Sequence, residues 1–135
     1  MKSLYIKSTR NSPEINFDLE RREFIISGRS IQTNPQKFYD DVIVWLEKFA
    51  AQNPEDLTVR FSLNYYNLAS AKRFMFMVYL FSQMKLNGCS LNIEWRFIED
   101  DEFMKEFGED LSKNFDVPLQ LIPHKEEHEN ISLAG

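Results

Sequence analysis

The chain has 135 residues, 43% of them hydrophobic and 14% aromatic, and its 16 basic and 21 acidic residues give a formal net charge of −5. The charge excludes a general basic nucleic-acid-binding protein, and the apolar content excludes a disordered chain. With Cys89 as its only cysteine, the chain cannot form an internal disulfide or a cysteine-based metal cluster.

The first part of the chain predicts strands followed by a helix. Residues 4–7, 15–18 and 23–27 are short segments with apolar or β-branched side chains, separated by polar turns, which is typical of successive strands. Residues 33–35 place a capping residue and a proline before an amphipathic helix that ends near residue 52. Its apolar residues recur at spacings of three and four: Phe38, Val42, Trp45, Leu46 and Phe49.

Strands and helices alternate after this helix. Residues 57–63 and 91–97 alternate apolar and polar side chains, which predicts strands. Residues 71–86 are rich in Met, Phe and Leu and end before Gly88, which predicts a helix reached through a turn at residues 64–70.

The last part of the domain predicts a third helix, after acidic residues 99–102 and extending to Leu111, and a final strand over residues 117–122. We therefore predict a single α/β domain at residues 1–123, with a mixed sheet, about three helices and parallel pairing where a helix crosses between strands. Residues 124–135 are predicted to form a polar, mobile tail.

No bilayer-spanning run and no signal peptide are evident, because the longest apolar run, residues 74–81, is far shorter than the ~20 residues required. The sequence therefore predicts a cytoplasmic protein without membrane contact.

Few residues offer catalytic chemistry. His124 and His128 lie in or beside the polar tail, and Cys89 lies at a turn, where packing explains it better than catalysis. The acidic segment from Glu99 to Glu102 offers carboxylates for a metal- or small-ligand-binding enzyme. The stronger interpretation is that these carboxylates stabilise the positive end of a helix.

Residues 71–86 contain apolar side chains in nearly every direction. Core packing explains most of them, and the remainder predicts either a partner-binding surface or an oligomer-forming structural role. The Met and Phe residues concerned are Phe74, Met75, Phe76, Met77, Phe81 and Met84. The junction before this helix also suits regulation, because free amides at a helix N-terminus can receive a phosphate, whereas the simpler role of Asn67 or Ser70 there is capping.

Several short motifs occur in a fixed order along the chain. They lie at residues 12–15 (SPEI), 26–30 (ISGRS), 61–67 (FSLNYYN), 70–72 (SAK), 95–97 (WRF) and 107–110 (FGED). Over about residues 9–122 the chain resembles the SiaC family of bacterial regulatory phosphoproteins. Members of that family look like single STAS-like (SpoIIAA-like) domains, related in shape to anti-sigma-factor antagonists.

The resemblance implies a non-enzymatic switch protein with no cofactor, acting by protein–protein binding. A partner Ser/Thr kinase of the histidine-kinase-like ATPase type phosphorylates such proteins on the threonine of an Asn-Thr-Ser-Ser motif, and a PP2C-type phosphatase removes the phosphate. The unphosphorylated form binds and activates a diguanylate cyclase, which links the switch to cyclic-di-GMP and biofilm formation.

The corresponding motif of this chain departs from the family pattern. Leu68 occupies the phosphoacceptor position, Ala69 replaces a serine, and Ser70 alone keeps a hydroxyl. Phosphorylation has therefore moved to Ser70 or been lost, which leaves either a permanent partner-binding form or a binding role that has outlived its switch. The predicted partner-binding residues are Tyr66, Asn67, Leu68, Ala69, Ser70, Lys72 and Met75.

Overall fold

The computed structural model describes residues 1–125. Six strands and three helices follow one another in the order β1 (Leu4–Ile6), β2 (Glu14–Asp18), β3 (Glu23–Ser30), α1 (Gln36–Ala50), β4 (Asp56–Tyr66), α2 (Leu68–Leu86), β5 (Ser90–Ile98), α3 (Glu102–Asn114) and β6 (Leu119–His124). The predicted α/β, STAS-like domain with a mixed sheet and three helices is confirmed. Among residues 1–125, no helix is both long and apolar enough to cross a membrane.

The strands lie in the sheet in their order along the chain, from β1 to β6. β1, β2 and β3 pair antiparallel, whereas β3 to β6 pair parallel across the three helices, as predicted. Crossovers of the usual right-handed kind that all step in one direction place every helix on the same face of the sheet. The helices consequently share one core with that face.

Aromatic side chains join this face of the sheet to each helix in turn. Phe24 on β3 contacts Phe49 of α1 with ring centroids 4.8 Å apart. Phe61 on β4 contacts Phe74 of α2 at 6.1 Å, and Trp95 on β5 contacts Phe107 of α3 at 5.6 Å. The core therefore continues from α1 to α3 beneath all three helices.

Polar residues occupy the opposite face of the sheet. The Glu94 carboxylate on β5 accepts hydrogen bonds from Arg60 Nε of the neighbouring strand β4 at 3.2 Å and from Arg96 Nη2 of its own strand at 3.0 Å. Within residues 1–125 no helix covers this side, which we call the open face.

The junction between β4 and α2 is much shorter than the predicted turn at residues 64–70. β4 continues to Tyr66 and α2 begins at Leu68, so that Asn67 alone connects them. A bulge explains the difference, because Leu63 pairs with Gly28 and Tyr65 with Arg29, which leaves Asn64 without a partner on β3. The extra residue reverses the alternation of faces, and Tyr66 therefore points toward the helices.

The last strand reaches the first residue of the predicted tail. β6 extends through His124, the first residue of the predicted tail, and pairs His124 with Ile98 of β5. Residues 126–135, which make up nearly all of that tail, and His128 with them, lie outside the described residues.

Gly108 lies in the middle of α3, directly against Trp95. A Cβ atom added to Gly108 would lie 2.5 Å from Trp95 Cδ1 and 2.8 Å from Leu121 Cδ2. We expect Gly108→Ala to lower the free energy of unfolding, because overpacking costs about 1–3 kcal/mol and outweighs the gain of about 1 kcal/mol in helix propensity. Urea denaturation measures the change. The exposed neighbour variant Glu109→Ala should stay near wild type, and a Gly108→Ala protein of equal or higher stability would contradict this packing.

Candidate functional site

Asn67 connects the start of α2 to the end of the sheet through hydrogen bonds. Its backbone N–H donates to Ser30 O at 3.1 Å, and its side-chain Nδ2 donates to Gln32 O at 3.0 Å. The Asn67 side-chain oxygen accepts a hydrogen bond from Ser70 N–H at 2.9 Å, as in an N-capping residue. Asn67 therefore has a structural role, although the sequence also suggested it as a partner-binding residue.

Ser70 lies in a buried hydroxyl cluster beneath the first turn of α2. Its side chain has 0% exposure, and its Oγ accepts a hydrogen bond from Ser30 Oγ at 2.7 Å. Ser30 Oγ also lies 2.5 Å from the hydroxyl of Tyr39 on α1. Burial raises the pKa of Tyr39 well above its usual value, and the hydrogen bond with Ser30 partly opposes this rise. The cluster holds β3, α1 and α2 together.

This burial argues against Ser70 as a phosphoacceptor and against its contact with a partner. A kinase needs access to the hydroxyl that it modifies, whereas Ser70 Oγ is enclosed between the sheet and two helices. The sequence alone did not show this, because the hydroxyls of Ser30 and Tyr39 come from elements distant along the chain.

Tyr66 is half-buried and packs within the domain. Its ring stacks on Phe107 of α3 at 5.4 Å and meets the edge of Phe74 at 6.0 Å. Burial, and to a smaller extent the charge of Asp101, raises the pKa of Tyr66. The aromatic ring of Tyr66 thus sets the position of α3 beside α2. Its contact with a partner stays a prediction.

The remaining predicted binding residues lie on the outer side of α2. Leu68 is 74% exposed and Met75 is 38% exposed, and Ala69 and Lys72 are also exposed. Leu68 is the first residue of α2, so it lies at the same end of the domain as the carboxyl end of β4.

Two exposed aromatic side chains continue the same surface: Phe76, one of the Met and Phe residues noted in the sequence, and Tyr79, which the prediction did not include. Phe76 and Tyr79 are each 42% exposed, and their ring centroids lie 6.1 Å apart. The signal for Tyr79 was present in the sequence, since residues 68, 72, 75 and 79 follow alternating spacings of four and three and therefore share one helix face. We call Leu68, Lys72, Met75, Phe76 and Tyr79 the α2 surface.

A shallow groove lies beside the α2 surface, between α1 and α2, with a volume of about 570 Å³. Ala69, Lys72 and Phe76 line it from α2. An ion pair between Arg73 and Asp40, at 3.4 Å, joins the two helices at this groove. The groove gives a docking partner a recess next to the exposed apolar side chains.

The acidic segment has a structural explanation. Asp101 Oδ1 accepts a hydrogen bond from Met104 N–H at 3.0 Å and so caps α3. No group of three or more His, Cys, Asp or Glu residues among residues 1–125 is placed to hold a metal ion. The alternative of a metal-dependent enzyme built on Glu99 to Glu102 therefore has no structural support.

Cys89 is 5% exposed, and burial raises the pKa of its thiol, with a smaller contribution from Asp56. A raised pKa favours the unreactive thiol over the nucleophilic thiolate. These features agree with the interpretation that Cys89 is a packing residue and not a catalytic one.

Helices on one side of the sheet and exposed apolar side chains on α2 are typical of a domain that binds other proteins. The profile of the SiaC family, described as "SiaC family regulatory phosphoprotein", matches residues 6–124. The chain belongs to this family. It is accordingly a regulatory protein and not an enzyme.

The chain is also similar to solved structures and to a curated relative. Apo-SiaC from Pseudomonas aeruginosa is 24% identical, with a TM-score of 0.82 over 90% of this chain and 99% of that chain. A crystal structure of diguanylate cyclase SiaD in complex with its activator SiaC, from the same organism, gives 25% identity and a TM-score of 0.83 over the same shares. An uncharacterized protein of P. aeruginosa strain UCBPP-PA14 is 25% identical over 126 residues, covering 93% of this chain and 100% of the relative.

Proposed function

We propose that this chain is a cytoplasmic bacterial signalling adaptor that binds and activates a diguanylate cyclase, and thereby acts in cyclic-di-GMP and biofilm control. Membership of the SiaC family and the relative's complex with a cyclase support this proposal. The observation that carries it is the α2 surface, where large apolar side chains remain exposed on a helix that is otherwise packed in the core.

The α2 surface has the composition of a binding site. Leu68, Met75, Phe76 and Tyr79 offer apolar and aromatic area, which a partner can bury, and Met adapts its shape to different neighbours. Lys72 adds a charge at the edge of this area, where it contributes more to orientation than to affinity. We place the cyclase contact on this surface.

In the same proposal, the chain remains permanently in the partner-binding form. Leu68 has no hydroxyl, and the buried Ser70 does not replace it. We keep two further partners in the proposal, the histidine-kinase-like Ser/Thr kinase and the PP2C-type phosphatase, as proteins of the pathway that bind this chain. The proposal does not include the transfer of phosphate to this chain.

The proposal is tested with the diguanylate cyclase from the same cell, by measuring cyclic-di-GMP synthesis with and without this chain. We expect stimulation by wild type and, with Met75→Glu, a rise of about tenfold or more in the concentration needed, because a carboxylate would be buried in an apolar contact. Gln120→Glu is the matched control, since it adds the same charge on the open face. Equal stimulation by both variants, or none by wild type, would contradict the proposal.

A further inference from the structure

The open face contains a depression at the carboxyl ends of the parallel strands. Its volume is about 540 Å³, and it is lined by Arg29 from β3, Ser62 and Tyr65 from β4, His124 from β6, and Arg10 from the loop between β1 and β2. Binding residues are often carried by loops that a rigid sheet positions. The depression also falls in the size range of small-molecule sites, about 300–1,000 Å³.

The charge of this depression is opposite to that of the whole chain. No carboxylate lines it within residues 1–125, although the net charge of the chain is −5. Neither Arg10 nor Arg29 lies within ion-pair distance of a carboxylate in that part of the chain. Every other arginine does, at 4.0 Å or less: Arg21, Arg22, Arg60, Arg73 and Arg96.

The loop that carries Arg10 is fixed in place by hydrogen bonds. Thr9 Oγ1 accepts from the N–H groups of Asn11 and Ser12 at 3.2 and 3.0 Å. Asn11 O then accepts from Ile31 N–H at 2.8 Å, just beyond the end of β3. These hydrogen bonds hold the loop backbone that carries Arg10 against the end of β3.

The β-bulge between β3 and β4 positions the second guanidinium. Gly28 has a φ of +106°, which glycine adopts without strain, and the register shifts between Gly28 and Arg29. The Arg29 guanidinium then lies over the ring of Tyr65, 5.5 Å from its centroid. This contact restricts the Arg29 side chain at the rim of the depression.

We propose that this depression binds a small molecule that carries a diphosphate group. Planar guanidinium groups bind phosphate oxygens through paired hydrogen bonds, and the two arginines that line this depression suit a ligand with two adjacent phosphates. The hydroxyl of Ser62 and the ring of His124 supply further polar contacts on the strands. This site lies on the face opposite α2 and is independent of the proposed cyclase contact.

Calorimetric titration with inorganic pyrophosphate at low ionic strength tests the proposal. We expect saturable binding to wild type, weakened about tenfold or more by Arg10→Gln and by Arg29→Gln, because each removes charged hydrogen-bond donors. Arg21→Gln is the matched control, since it removes one positive charge at the opposite end of the sheet. Circular dichroism of each variant checks that the fold is kept.

Three results would overturn the proposal. The first is no saturable heat with pyrophosphate, and the second is an equal loss in all three variants, which would indicate general charge attraction. The third is tighter binding of a glutamate-rich peptide than of pyrophosphate, with the same dependence on Arg10 and Arg29, which would indicate an acidic protein segment as the occupant.

Discussion

Phe74→Ala is expected to lower the free energy of unfolding by about 3–5 kcal/mol, the usual cost of removing a buried phenylalanine ring. Phe74 has 0% exposure on α2. Its ring contacts Tyr39 of α1 at 5.9 Å, and Phe61 and Tyr66 of β4 at 6.1 and 6.0 Å. The variant therefore removes a contact that joins α2 to both α1 and β4. Urea or guanidinium denaturation measures the loss.

Phe76→Ala is the matched control, with the same change two residues later on the same helix. Phe76 is 42% exposed, and a substitution on the surface changes stability by only about 0.5 kcal/mol. The same variant should weaken binding of the cyclase, since it removes part of the α2 surface. Equal losses of stability from the two variants would contradict the division of α2 into a core side and a binding side.

Leu68→Thr is expected to restore a phosphoacceptor. Residue 68 is the first residue of α2 and is 74% exposed, so a threonine hydroxyl would be accessible to the pathway's kinase. Mass spectrometry after incubation with that kinase and ATP should find phosphate on residue 68 of the variant and none on Ser70 of either protein. The phosphate would add about −1.5 to −2 charges beside the exposed apolar side chains, and we expect cyclase binding to fall about tenfold or more.

Leu68→Val separates this effect from the loss of the leucine side chain, because valine matches threonine in shape and lacks the hydroxyl. Its cyclase binding should be the same before and after incubation with the kinase and ATP, measured once the kinase has been removed. Phosphate on Ser70 in the wild-type chain would contradict the structural role assigned to its buried hydroxyl.

The alternation of apolar residues predicted β4 and β5 well, because each has one face in the core. The helices between the strands predicted the parallel pairing, which the sheet has from β3 to β6. The prediction became wrong at the bulge in β4, where the unpaired Asn64 interrupts the period of two. Tyr65 and Tyr66 therefore looked like part of a turn. A period cannot reveal a strand that continues after an inserted residue, and the start of α2 was consequently placed at residue 71 instead of Leu68.

Only some features of the candidate site could be predicted from the sequence, because several depend on contacts between distant elements. Met75 was predicted in the helix and Leu68 in the turn before it, and the structure places both, exposed, on α2. The burial of Ser70 depends on Ser30 and Tyr39, which lie 40 and 31 residues away along the chain, and no local pattern records such a contact. The stacking of Tyr66 on Phe107 likewise depends on packing between β4 and α3.

Methyl NMR of the methionines tests most directly whether α2 is the docking surface. Met75 is 38% exposed, whereas Met77, Met84 and Met104 are at most 2% exposed, so the buried methyl groups serve as internal controls. On addition of the cyclase, we predict that the Met75 signal shifts most and that the three buried signals shift little. An unchanged Met75 signal in a complex whose formation is verified by sedimentation would contradict the account.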